Sequence, residues 1–154
     1  AFSLERIKQS GLRRFGVLFA DVPQALSLKK QMSEEEFNKF YRRLADQFRL
    51  TLRPTDTMAW SPADGVFFTL IEDIPNPEAP LRIAGRVRDG MKKFIEDNDQ
   101  GLGMRTNLGV LLCDADYENI QKILTDIQYA RVLLQERQYT SPAIFDRAML
   151  STRP

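Results

Sequence analysis

The side chains of this sequence that could take part in chemistry fall into three small groups. Asp21 closes the apolar run Phe15-Gly16-Val17-Leu18-Phe19-Ala20, Arg53 and Asp56 bracket Pro54-Thr55, and Arg82 and Arg86 stand four residues apart. A carboxylate at a strand end can hold a hard cation, whose ligands are oxygens. A guanidinium is a rigid fork of donors that matches paired acceptors, such as phosphate oxygens or a planar edge with two lone pairs. Each group also has a plain structural reading. An acidic residue ends a strand well, Pro54 with Asp56 makes a good turn, and arginines at i,i+4 on a polar face are solvated. Spacing alone leaves both readings open.

Composition removes most other chemistries. The 154 residues hold no histidine and one cysteine, Cys113, which excludes a disulfide framework, the usual zinc clusters and histidine-based triads. The 22 lysines and arginines balance 21 acidic residues, so the broad positive footprint of a non-specific nucleic-acid or membrane-surface binder is missing and any basic site must be local. No apolar run approaches the roughly 18 residues needed to span a bilayer, and the start lacks the apolar stretch of a signal peptide. A soluble domain in the reducing cytoplasm, without a cofactor, is the expectation.

The groups need elements to hold them. The run from Phe15 to Ala20 reads as a buried strand. Ser33-Glu34-Glu35-Glu36 is a capping box, followed by Phe37, Phe40, Tyr41, Leu44 and Phe48 at helical spacing, which are core positions. Thr57 to Trp60 and Val66 to Ile71 flank Ser61-Pro62-Ala63-Asp64-Gly65 as a β-hairpin. Residues 80 to 95 place Ala84, Val87, Met91 and Phe94 on one helical face with Arg82 and Arg86 opposite. Thr106 to Leu112 is another strand, residues 117 to 136 are a long helix carrying Tyr117, Ile120, Leu124, Ile127 and Leu134, and Tyr139 to Phe145 is an edge strand despite Pro142. Leu4, Ile7 and Leu12 mark a short amphipathic helix at the start, which reads as the continuation of something longer. The order strand, helix, strand, strand, helix, strand predicts an α+β fold, a ferredoxin-like palm with a βαββαβ core and an extra helix and strand, in a single domain covering residues 1–154.

Three segments, in order and spacing, resemble the GGDEF family of bacterial diguanylate cyclases: Leu18-Phe19-Ala20-Asp21-Val22, Leu52-Arg53-Pro54-Thr55-Asp56-Thr57 and Phe67-Phe68-Thr69-Leu70-Ile71-Glu72-Asp73-Ile74. Leu81-Arg82-Ile83-Ala84-Gly85-Arg86-Val87-Arg88 is similar to the family's following helix and Asn107-Leu108-Gly109-Val110 to its Ser-Ile-Gly strand. The resemblance spans nearly the whole chain and implies a nucleotidyl cyclase-like palm. Ala143-Ile144-Phe145-Asp146-Arg147-Ala148-Met149 is similar to the tail that precedes a phosphodiesterase EAL domain, so a sensor or EAL-type neighbour in a larger protein is implied.

The same resemblance implies that catalysis has been lost. A cyclase holds two divalent cations with carboxylates converging from different strands. Asp21 matches the first, as a remnant metal ligand. The signature loop aligns with Ala63-Asp64-Gly65-Val66-Phe67, so its acidic third and fourth positions are Gly65 and Val66. Shifting the hairpin by one residue offers Asp64, but Pro62 and Gly65 favour a plain turn there. The guanine-contacting asparagine of the family falls at Lys29, its partner aspartate at Asn38, and its phenylalanine-lysine pair at Ala25-Leu26. No catalytic residue is therefore assigned.

A second site of the family, which binds the product cyclic-di-GMP, is matched: Arg53 and Asp56 fill its Arg-x-x-Asp, and Arg86 its helix arginine, with Arg82 one turn earlier in support. The chemistry suits guanine, whose O6 and N7 meet a guanidinium fork and whose N1–H and amino group can donate to a carboxylate. The resemblance thus implies a catalytically inactive receptor for cyclic-di-GMP that regulates a neighbouring domain or a second copy. The alternative is an interaction module that binds no nucleotide and dimerises or holds a neighbour in register.

Overall fold

The computed structural model describes residues 14–21, 30–54, 56–61, 66–72, 74, 78–98, 106–114, 117, 119–136 and 142–150. The expected helix over residues 4–13 lies outside them, as do Ala25, Leu26, Lys29 and Asp64 of the cyclase alignment.

Among the described residues nine elements follow in order: β1 (Arg14–Asp21), α1 (Glu34–Leu50), β2 (Thr57–Ser61), β3 (Val66–Ile71), α2 (Glu78–Asn98), β4 (Asn107–Asp114), α3 (Ile120–Glu136), β5 (Ala143–Asp146) and α4 (Arg147–Leu150). The strands form one sheet in the order β2-β3-β1-β4-β5. β1 runs antiparallel to both β3 and β4, β2 antiparallel to β3, and β5 parallel to β4. This is the split βαβ arrangement read from the sequence, with α3 and β5 as the additional helix and strand. β5 is an edge strand, as β2 is at the other side of the sheet, and Pro142 lies just before it, where a missing N–H costs no ladder bond; residues 139–141 of the expected strand lie outside the described ones.

β1 is central, so both of its faces are covered, and residues Phe15 to Asp21 are all buried. Side chains alternate along a strand. Leu18 and Ala20 pack with Phe40, Leu44 and Phe48 of α1 and Ala84, Val87 and Met91 of α2. Phe15, Val17 and Phe19 pack on the other side with Ile123, Ile127, Ala130 and Leu134 of α3 and Phe145 of β5. A strand buried on both faces reads as a continuous apolar run, which is why β1 was legible.

The helix ends follow local chemistry. Ser33 caps α1 by accepting from the Glu36 N–H at 3.2 Å, and the Thr51 hydroxyl donates to the Phe48 carbonyl at 2.6 Å where α1 ends. Asn119 caps α3 through the Lys122 N–H at 2.9 Å, so that helix starts after Tyr117, which the periodicity had placed inside it. Leu124, one of the apolar residues whose spacing marks α3, is 36% exposed.

Candidate functional site

The structure folds the Arg-x-x-Asp segment into a corner between α1 and β2. The Asp56 N–H donates to the Arg53 carbonyl at 2.9 Å, closing the turn. The Asp56 carboxylate accepts from the Arg53 N–H at 3.0 Å, from its Nε at 3.2 and 3.3 Å and from its Nη2 at 3.0 Å. Nη2 also donates to the Glu72 carbonyl at the exit of β3, at 2.9 Å. The Asp56 side chain is 1% exposed and that of Arg53 33%. The two residues are thus brought together, but Asp56 turns its acceptors on Arg53, and what reaches solvent is the guanidinium it holds.

Arg82 and Arg86 are both exposed on α2. Elsewhere on these helices charges pair with neighbours, as in Lys39–Glu35, Arg49–Asp46 and Arg88–Asp89. Among the described residues neither Arg82 nor Arg86 has an ion pair or hydrogen bond from its side chain. α2 meets the corner at Gly90, where an added Cβ would lie 2.6 Å from Thr51 Cγ2. Arg86 is one turn before that contact, about 6 Å along the axis at 1.5 Å per residue. The close approach that only glycine allows therefore sets α2 against the end of α1, four residues after Arg86.

Asp21 sits at the end of β1, on the parity of Val17 and Phe19, and so faces α3. Its Oδ1 accepts from Arg131 Nη2 at 3.2 Å, and its Oδ2 from Gln135 Nε2 at 2.8 Å and Arg131 Nε at 3.4 Å. The Asp21 side chain is 2% exposed and that of Arg131 12%. Val66, which the resemblance puts at an acidic signature position, pairs with Asp21 across β1 and β3 and is fully buried. Paired residues of neighbouring strands share a face, so the Val66 isopropyl group lies on the same face of the sheet as the Asp21 carboxylate. A divalent cation needs several oxygen ligands, and the donor set at Asp21 among the described residues, one carboxylate already held by a guanidinium, does not by itself fit one. Among the described residues no cluster of three or more acidic, cysteine or histidine side chains could hold a metal.

Neither Arg131 nor Gln135 was singled out from the sequence, since they lie 110 and 114 residues from their partner. Asn38 is exposed on α1, beside Glu34, Glu35, Lys39 and Arg42. A further buried network, also missed, borders a cavity of about 600 Å³ at the opposite end of β1. There Tyr117 donates to Asp126 Oδ2 at 2.8 Å, Lys122 Nζ lies 3.1 Å from Oδ1, and Arg147 covers the Tyr117 ring at 5.5 Å. Burial and the bond to Asp126 push the Tyr117 phenol well up, and burial first, then the charge of Asp114, does the same to the Cys113 thiol.

Comparison with known proteins settles the architecture. The GGDEF domain of YfiN (TpbB) from Pseudomonas aeruginosa superposes with a TM-score of 0.71 over 92% of this chain and 88% of its own, at 18% identity. The chain has the GGDEF fold. The active GGEEF domain of a diguanylate cyclase from Vibrio cholerae matches at TM-score 0.69 and 15% identity, again over 92% of this chain and 88% of that one. The GGDEF domain of DgcB from Caulobacter crescentus, solved in complex with c-di-GMP, matches at 0.66 and 11% over 92% and 82%. No protein-family model and no curated relative matches the sequence. Among the described residues of this GGDEF-fold chain no helix is long and apolar enough to cross a membrane.

Proposed function

We propose that this GGDEF-fold domain is a cytoplasmic receptor for cyclic-di-GMP without cyclase activity, regulating a sensor or EAL-type neighbour or a second copy of itself. The observation that carries the reading is Arg53, locked in one orientation by Asp56 and Glu72; it is supported by Arg82 and Arg86, exposed and without an ion pair among the described residues, on the helix that meets the end of α1 at Gly90. A guanidinium fixed before the ligand arrives loses little freedom on binding. Three forks suit the two phosphates and the O6/N7 edges of a cyclic dinucleotide. Asp56 enters as a positioning residue that holds the Arg53 fork, in place of the direct guanine contact expected from its motif.

Inactivity is supported separately by Asp21, whose carboxylate is held by Arg131 and Gln135, and by Val66 facing it. The first test is the nucleotide released when the domain, purified from bacterial cells, is heat-denatured. Cyclic-di-GMP in the supernatant, absent from an Arg53→Ala, Arg86→Ala preparation, is the expected outcome. Release of GTP, or turnover of added GTP with Mn²⁺, would overturn the reading.

A further inference from the structure

The cavity at the opposite end of β1 from Asp21 belongs to neither of the sites discussed above. Its volume, about 600 Å³, falls in the range of small-molecule sites, which are largely apolar pockets with a few fixed polar groups. Among the described residues the apolar part of the lining comes from Phe15, Ile74, Leu112, Cys113 and the Tyr117 ring. Six charged residues complete it, three basic (Arg14, Lys122 and Arg147) and three acidic (Asp114, Asp126 and Asp146).

These charges are not equally committed. Asp126, 1% exposed, has both oxygens engaged, Oδ2 by the Tyr117 hydroxyl at 2.8 Å and Oδ1 by Lys122 Nζ at 3.1 Å. Asp146 Oδ1 accepts from the Met149 N–H at 2.8 Å. Arg147 lies over the Tyr117 ring. Arg14 is exposed and has no ion pair or side-chain hydrogen bond among the described residues, although Asp114 is its register partner on β4. Donors are therefore in surplus: the whole guanidinium fork of Arg14, and the ammonium protons of Lys122 that Asp126 does not take. A buried ion pair is a poor source of stability. What the Tyr117–Asp126–Lys122 set supplies is a fixed wall, with the ammonium and the phenol ring placed before a ligand arrives.

We propose that this cavity binds a small monocarboxylate with an apolar body, its carboxylate on Arg14 and Lys122 and its body against Phe15, Ile74, Leu112 and the Tyr117 ring. A carboxylate matches a guanidinium fork with two parallel bonds. The equal number of basic and acidic residues in the lining sets the ligand's charge. A single negative charge suits the donor surplus, whereas a polyphosphate would also meet Asp114 and Asp146. None of these residues is an arginine of the proposed cyclic-di-GMP site, so the two readings stand or fall separately.

Two probes, phenylacetate and octanoate, test it when titrated into the isotope-labelled whole chain and followed by amide chemical shifts. Saturable shifts are expected at Phe15, Ile74, Cys113 and Tyr117, with a Kd of about 1 mM or tighter for at least one of the acids. Phenylacetamide and octanamide keep the bodies and lose the charge, so they should bind at least roughly tenfold more weakly. Arg14→Gln should weaken the acids to the same degree. Because Arg14 is exposed, the variant is expected to keep the wild-type spectrum away from the cavity, which separates lost binding from lost fold. No saturable shift with either acid, shifts centred away from the cavity, amides that bind as tightly as the acids, or acid binding indifferent to Arg14→Gln would each overturn the proposal.

Discussion

Replacing Arg131 by methionine removes one half of a buried ion pair and leaves the other in place. Asp21 is 2% exposed and Arg131 12%, with Nη2 3.2 Å from Oδ1. Breaking such a pair from one side costs about 3–5 kcal/mol, because an uncompensated charge stays behind. Gln135 still donates to Oδ2 at 2.8 Å, which satisfies one oxygen and moves the expectation to about 3 kcal/mol. In a domain of roughly 150 residues that lowers Tm by about 6–12 °C. Asp21→Asn keeps the bond from Gln135 and lets Arg131 swing toward water, so its cost is about 1–2 kcal/mol. Asp21→Asn with Arg131→Met removes both charges and costs little more than Asp21→Asn alone, giving a coupling of at least about 2 kcal/mol in the double-mutant cycle. Urea unfolding followed by circular dichroism measures all four proteins. A loss below about 1 kcal/mol for Arg131→Met, with no coupling, would refute the reasoning. Asp21 would then be open to a cation, and Mn²⁺ should bind.

Two further outcomes follow from the packing. Gly109→Ala drives a Cβ to within 2.3 Å of Phe19 Cζ and 2.9 Å of its Cε1 and Cε2, in the middle of the β1–β4 pairing. It should cost about 1–3 kcal/mol by overpacking, and wild-type stability in denaturant melts would contradict the tight contact. Cys113 and Tyr117 are both held up by burial from ordinary values of 9.0 and 10.0. The unfolded chain releases these protons first, so stability that is complete below about pH 9 is lost as pH rises. Urea midpoints at about pH 8 and about pH 11 should show the fall, and Cys113→Ala should show a shallower one; equal slopes would count against the buried thiol.

Legibility in the sequence tracked how local the cause was. β1 and α1 could be read because burial on two faces and on one stripe leaves a direct trace in residue order, as in Phe15 to Ala20 and in Phe40, Leu44 and Phe48. Gly90 and Gly109 gave no such trace, since the groups that need their bareness, Thr51 and Phe19, come from other elements. The Arg53–Asp56 motif was visible, yet a separation of three residues also lets the two side chains meet each other, and the structure takes that option. The lock on Asp21 could not be read, because Arg131 and Gln135 come from a helix more than a hundred residues later and look, in sequence, like surface residues of α3. Leu124 helped to mark α3 by its spacing, which shows an apolar side chain but not whether the domain itself covers it.

The central claim is that the arginines beside the α1–β2 corner receive a cyclic dinucleotide. Calorimetric titration of the folded domain with cyclic-di-GMP tests it most directly, beside Arg53→Ala, Arg86→Ala and Asp56→Ala variants checked by circular dichroism. The account predicts saturable binding by the wild type and losses of roughly ten- to a hundredfold for each arginine variant, from about 1.5–3 kcal/mol per charged contact. Asp56→Ala should weaken binding by no more than Arg53→Ala, since it acts only through that fork. No heat of binding from the intact domain, or binding that the arginine variants keep, would contradict the account.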